Sequence, residues 1–96
     1  MNYFLKYSPL ALDTFNEIAE QVNSRWGNKY ADEFRRRSVK VIETIHKAPF
    51  IFQSVNSNID VRKGFIHKNC SVFYEVKEST IVILFFWDNR QDPVFL

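Results

Sequence analysis

Three stretches decide the fold: Asn58-Ile59-Asp60-Val61-Arg62-Lys63-Gly64-Phe65-Ile66-His67, Ser71-Val72-Phe73-Tyr74-Glu75-Val76-Lys77, and Thr80-Ile81-Val82-Ile83-Leu84-Phe85-Phe86-Trp87-Asp88-Asn89-Arg90-Gln91. All three are rich in β-branched and aromatic residues, which suit a pleated, half-buried surface. In the first, Ile59, Val61 and Phe65 share one parity and Asp60, Arg62 and Gly64 the other, with Lys63 breaking the pattern. The first set is therefore expected to face the core, and Gly64 to mark a bulge or a close approach of backbone. In the second, Val72, Tyr74 and Val76 alternate with Phe73, Glu75 and Lys77, as a half-buried strand requires. The third is apolar on both parities from Ile81 to Trp87, the pattern of a central strand covered on both faces. Polar turns at His67-Lys68-Asn69 and Lys77-Glu78-Ser79-Thr80 join them.

Upstream, Tyr3-Phe4-Leu5-Lys6-Tyr7 is short and aromatic, more strand than helix. Ser8-Pro9 opens a helix, because the serine can cap free amides and proline is tolerated at the first helical position. Ala11, Phe15, Ile18 and Val22 recur at helical spacing, with Ala19 and Trp26 beside them, predicting a helix from about Pro9 to Ser24 broken at Gly27-Asn28. A second helix is predicted from about Lys29 to Lys47, with Tyr30, Phe34, Val41 and Ile45 on its apolar face and Pro49 stopping it. The connection is so short that the helices must fold back as an antiparallel hairpin. Residues 48–58 read as a loop anchored by Phe50, Ile51 and Phe52. The order is β-α-α-β-β-β, an α+β fold. Its helical hairpin packs on one face of a small, mainly antiparallel, twisted sheet and leaves the other face partly open.

Ninety-six residues suffice for one domain, 1–96, and ten Phe, four Tyr and two Trp supply a core of few bulky side chains. The net charge of +2 permits an anionic partner without demanding one. Cys70 is the single cysteine, which excludes an intramolecular disulfide and suits a reducing compartment. It has no His or Cys at ligand spacing, so neither a metal site nor a thiol nucleophile is indicated. No phosphate-cradling Gly-rich loop occurs, and no cofactor is expected. The first residues do not form a charged leader with a long apolar run, and the longest apolar run falls far short of the roughly 20 residues of a spanning helix. A cytoplasmic protein is expected.

Several of these features together resemble the RelE/ParE superfamily, the toxins of bacterial type II toxin–antitoxin systems. They are Tyr7-Ser8-Pro9 with Ala11 and Phe15 leading the first helix, paired helices ending at Pro49, and the run Val61-Arg62-Lys63-Gly64. The strand Val72-Phe73-Tyr74-Glu75-Val76 and the strand Ile81–Phe86 running into Asp88-Asn89-Arg90 complete the set. The likeness spans nearly the whole chain and is closer to ParE-like members. It implies a growth-arresting, plasmid-stabilising toxin held inactive by a cognate antitoxin that wraps helices and sheet. RelE-like members of the superfamily cut messenger RNA on the ribosome, whereas ParE-like members poison DNA gyrase.

Metal-free RNA cleavage needs a base for the 2′-hydroxyl, cations for the crowded phosphate and an acid for the leaving oxygen. Carried over by the resemblance, Arg62 stands where a family lysine would, and Arg90 matches the arginine after the last strand. Gly64 replaces a second lysine, Ser71 replaces an arginine, and the sequence to Leu96 offers no counterpart of the final tyrosine. His67, with Lys63 and Lys68 near it, could supply an acid or base, yet a histidine in a hairpin turn is ordinarily just solvated. Lys63 could equally be an edge charge that discourages aggregation. Arg62, Lys63, His67 and Arg90 are therefore the catalytic candidates of a metal-independent endoribonuclease. Arg62, Phe73, Arg90 and Phe95 are the candidates for binding a target or antitoxin, with Phe73 and Phe95 expected to be exposed. Arg62 and Arg90 are expected as a pair on the open sheet face, although Asp88 can simply pair with Arg90. Arg35, Arg36 and Arg37 point about 100° apart on a helix and form no single patch, so a solvated outer face is expected. The readings in play are a gyrase-binding poison, a ribosome-dependent endoribonuclease, and a degenerate, non-toxic antitoxin binder, any of them with a possible homodimer.

Overall fold

A computed structural model describes residues 2–55 and 58–90. Its elements run β1 (Phe4–Tyr7), α1 (Pro9–Trp26), α2 (Asn28–Lys47), β2 (Ser54–Val55), β3 (Asn58–His67), β4 (Cys70–Lys77) and β5 (Thr80–Asp88). The sheet order is β1-β5-β4-β3-β2, with β1 parallel to β5 and every other pair antiparallel. The α+β class, the helical hairpin and the mainly antiparallel sheet are as expected. The two-residue β2 is additional. It pairs Ser54 with Arg62 and Val55 with Asn58, inside a stretch too short for alternation to reveal.

Ser8 caps α1, its hydroxyl accepting the Ala11 amide at 3.0 Å, and Pro9 occupies the first turn. The helix runs past Ser24 to Trp26 and ends where Gly27 takes φ +93°, a conformation that L side chains rarely adopt. One residue thus ends α1 and turns the chain into α2. Phe15 of α1 stacks on Phe34 of α2 and meets Phe86 of β5 edge-on, both with ring centroids 5.3 Å apart. Around this aromatic seam lie Ala11, Ala19, Ile45, Ile66, Val72, Tyr74, Val76, Ile81 and Ile83, all buried.

Strand β5 explains its own double-sided hydrophobicity. Phe73 opposes Phe85 while Tyr74 opposes Ile83, so Leu84 is an extra residue, a β-bulge. Ile81 and Ile83 face the helices before it, Phe86 and Asp88 after it, and the parity switches in between. The first turns of α1 satisfy the bulged backbone. Ser8 Oγ donates to the Leu84 carbonyl, and Thr14 Oγ1 accepts the Phe86 amide at 2.9 Å.

Strand β3 corrects the parity read from sequence. Val61 is buried, but Ile59 and Phe65 are 78% and 58% exposed. Arg62, Gly64 and Ile66 instead turn toward the helices and the 48–53 loop. Gly64 is what misleads: it scores as polar in an alternation, yet Phe52 packs over it. A Cβ there would lie 3.0 Å from Val72 Cγ1 and 3.3 Å from the Phe52 ring.

Candidate functional site

The candidate residues fall into two separate groups, one at the middle of β3 and β4 and one past the end of β5. The first surrounds Arg62. Its Nη1 donates to the Phe52 carbonyl at 2.6 Å, and its guanidinium lies over the Phe50 ring with 4.8 Å to the centroid. Beside it the Tyr74 hydroxyl donates to the Pro49 carbonyl at 2.7 Å, and the Lys63 amide donates to the Gln53 carbonyl. Arg62 therefore clamps the loop after α2 from the helix side of the sheet, and its place on the open face is corrected. Its Nε is buried and has no hydrogen-bond partner among the described residues. Tyr74 is fully buried, and burial pushes its phenol up to about 12 despite the nearby Arg62 charge, so it offers no base near neutrality.

Lys63 alone of these cations points to the opposite face, where its ammonium sits 5.8 Å from the Phe73 ring centroid. Phe73 stacks on Phe85 with centroids 4.8 Å apart and is 3% exposed, contrary to the exposed position expected of it. Its ring cannot reach a partner without rearrangement. Phe95 lies outside the described residues. His67 ends β3 opposite Cys70, and its Nδ1 accepts the Asn69 amide at 3.3 Å, a turn contact. The Cys70 thiol is buried, and that burial, reinforced by the Asp88 charge, pushes it up to about 12, so no thiolate nucleophile exists there. Ser71 is buried too, its hydroxyl accepting from Asn89 Nδ2 at 2.9 Å. Among the described residues no group of three or more His, Cys, Asp or Glu could hold a metal ion.

The second group surrounds Arg90. Its Nε and Nη2 grip Asp88 Oδ1 and Oδ2 at 3.0 and 2.7 Å, and its backbone N–H adds a third bond to Oδ1 at 2.9 Å. These hydrogen bonds outweigh the partial burial of Asp88 and hold its carboxyl below the usual carboxylate range. The fork also lays the Arg90 guanidinium beside Trp26, 5.9 Å from the ring centroid, with the Arg25 guanidinium at the same distance. Asp88 reaches this side only because the Leu84 bulge turned the parity of β5. Sequence reasoning anticipated the Asp88–Arg90 pair but missed Arg25 and Trp26. The available signal was an Arg-Trp pair immediately before the helix-ending Gly27.

The two arginines do not share a site. Arg62 opposes Tyr74 and Asp88 opposes Cys70, positions four residues apart along β4, or about 13 Å at the rise of a strand. On α2, Arg35 pairs with Asp32 at 3.2 Å and Arg37 with Glu33 at 3.5 Å, ordinary surface ion pairs along a helix.

The helical hairpin packs on a mixed sheet whose outermost strand β1 runs parallel to β5, an architecture shared with solved toxin–antitoxin proteins. The fold matches the chromosomal ParDE toxin–antitoxin system from P. aeruginosa with a TM-score of 0.75 at 17% identity, covering 90% of this chain and 95% of that one. It also matches the E. coli DinJ-YafQ toxin–antitoxin complex, with a TM-score of 0.67, 6% identity, and coverage of 94% and 96%. A third match is the isolated E. coli RelE toxin, with a TM-score of 0.57, 16% identity, and coverage of 94% and 87%. No curated protein sequence matches the chain. The family model for the ParE toxin of the type II toxin–antitoxin system parDE matches residues 5–93, and the chain belongs to that family. It is thus the toxin component of a type II system within the RelE/ParE superfamily, whose members work with a cognate antitoxin. Among the described residues no helix is long and apolar enough to cross a membrane.

Proposed function

We propose that this toxin arrests growth by binding rather than by cutting RNA, with DNA gyrase as its target and a cytoplasmic antitoxin as its resting partner. One toxin domain spanning residues 1–96 suffices for both interactions. A single observation carries the reading: the cations a metal-free nuclease would gather on one phosphate are dispersed. Arg62 holds a loop on the helix side, Lys63 lies on the other face, and Arg90 is forked onto Asp88 some distance along the sheet. Ser71 is buried and Gly64 is crowded by Val72 and the Phe52 ring, so neither position readily takes the longer basic side chain that the resemblance would place there. Transition-state stabilisation needs preorganised charge converging within about 3 Å of the developing charge, and no such convergence is present among these groups.

The fold is common to ParE and RelE toxins, so the target rests on family membership together with this dispersal. The test is induced expression in bacterial cells, with transcript ends mapped within minutes and gyrase-linked DNA breaks measured in the same culture. Breaks without new transcript ends are expected. New messenger ends without breaks would overturn the reading in favour of a ribosome-dependent endoribonuclease. Absence of both, with no growth arrest, would indicate a non-toxic antitoxin binder.

A further inference from the structure

Trp26, at the end of α1, is 51% exposed, a large aromatic surface left in water beside two guanidinium groups. One of the two is fixed. The Asp88 side chain, only 10% exposed, holds Arg90 through both carboxylate oxygens, so the Arg90 fork is preorganised while its Nη1 makes no hydrogen bond among the described residues. Arg25 has no carboxylate within ion-pair distance among the described residues. Among the described residues, two guanidiniums against one carboxylate leave the cluster with one net positive charge, next to the indole.

We propose that Arg25, Trp26 and Arg90 form a docking point for a partner polypeptide, taking a carboxylate side chain between the guanidiniums and an adjoining apolar side chain on the indole. Guanidinium favours this pairing because its planar donors match a carboxylate in two-point contact and stack on aromatic faces. A nucleic acid suits the cluster less well. Backbone binding needs a run of cations that neutralise successive phosphates. Here Asp88 stands within the cluster, and Arg35 and Arg37 on the neighbouring helix already carry their own carboxylates. The proposal deepens the binding reading above by naming a surface for it, and its chemistry stands on the cluster itself.

The test uses the full chain with Trp87→Phe, so that Trp26 is the sole indole. It is titrated with a capped hexapeptide alternating leucine and glutamate, with the glutamine analogue, and with a six-nucleotide oligothymidylate, following Trp26 fluorescence. Saturable binding of the glutamate peptide is expected. Binding should be at least tenfold weaker for the glutamine analogue, and at least tenfold weaker again when Arg25→Gln or Arg90→Gln is introduced into a chain with unchanged circular dichroism. Equal binding of the glutamine analogue, saturation by the oligonucleotide alone, or no saturation by any probe at millimolar concentration would overturn the proposal. Growth arrest on expression, and its relief by the product of an adjoining small reading frame, tests the toxin reading separately. Arrest with a failed titration removes only the docking point. Peptide binding without arrest removes only the toxin reading.

Discussion

Arg62, midway along β3, and Arg90, just past the end of β5, carry the same side chain, yet the fold gives them opposite work. Arg62 points inward over Phe50 and ties the Phe52 carbonyl to the sheet, where its charge holds the chain together. Arg90 points along the surface, oriented by a nearly buried carboxylate and laid beside an exposed tryptophan. The same guanidinium fork serves as a loop clamp where it meets a backbone carbonyl and as a presented group where it meets Asp88. A cation's position in the sequence of a strand says little about function until its face and its internal partner are known.

Four substitutions sharpen or break that contrast. Gly64→Lys, which restores the basic residue a nuclease would carry, should be the most damaging, because its Cβ is already crowded by Val72 and the Phe52 ring and the rest of the side chain must displace that ring. Overpacking of this kind predicts a loss of about 3 kcal/mol in urea unfolding and no gain of RNA cleavage. Arg62→Ala comes next. It strands the Phe52 carbonyl and removes the stack on Phe50, and should cost about 2 kcal/mol, lowering Tm by on the order of 10 °C in a domain of this size. A Tm within a degree or two of wild type would show that Arg62 is not the clamp described.

Thr14→Val should cost about 1 kcal/mol by leaving the Phe86 amide of the bulge without its acceptor. Its sharper signature lies at the other end of the sheet. If the bulge aims Asp88, Thr14→Val should weaken acidic-peptide binding at Trp26, while Arg62→Ala, assayed well below its Tm, should leave it unchanged. Asp88→Asn should have the smallest effect on stability at pH 7, under about 1 kcal/mol, since its partner Arg90 is substantially exposed. The folded-state pKa of Asp88 lies below its unfolded value. Its stabilising contribution is therefore complete above the unfolded carboxylate pKa and fades as pH falls below about 4 toward the folded value. Thermal melts of wild type and Asp88→Asn should converge as the pH falls through that window; a constant gap would place the stabilisation elsewhere.

Much of this molecule was legible before its structure. The helix-opening Ser8-Pro9, the helical spacing of Ala11, Phe15, Ile18 and Val22, and the alternation of Val72, Tyr74 and Val76 all act locally, and each produced the expected element. What was not legible depends on contacts between distant parts. The side on which Arg62 lies is set by Phe52 covering Gly64, an interaction that alternation cannot express. The Leu84 bulge was hidden because Ile81–Trp87 is apolar on both parities, so a slip of one residue leaves no mark on the pattern. Phe73 looked like a partner-facing aromatic in sequence and is packed against Phe85. The Asp88–Arg90 pair was readable because its two residues are close in sequence. Trp26 joined it only through the packing of α1 on β5.

The dispersal of cations is the core of the binding account, and two parallel reactions with purified components test it most directly. In one, the toxin is incubated with gyrase, ATP and supercoiled plasmid; in the other, with translating ribosomes and a defined messenger RNA. The account predicts protein-linked plasmid breaks that require gyrase, and intact messenger. Cut messenger with intact plasmid, abolished by His67→Ala or Arg90→Gln, would contradict it.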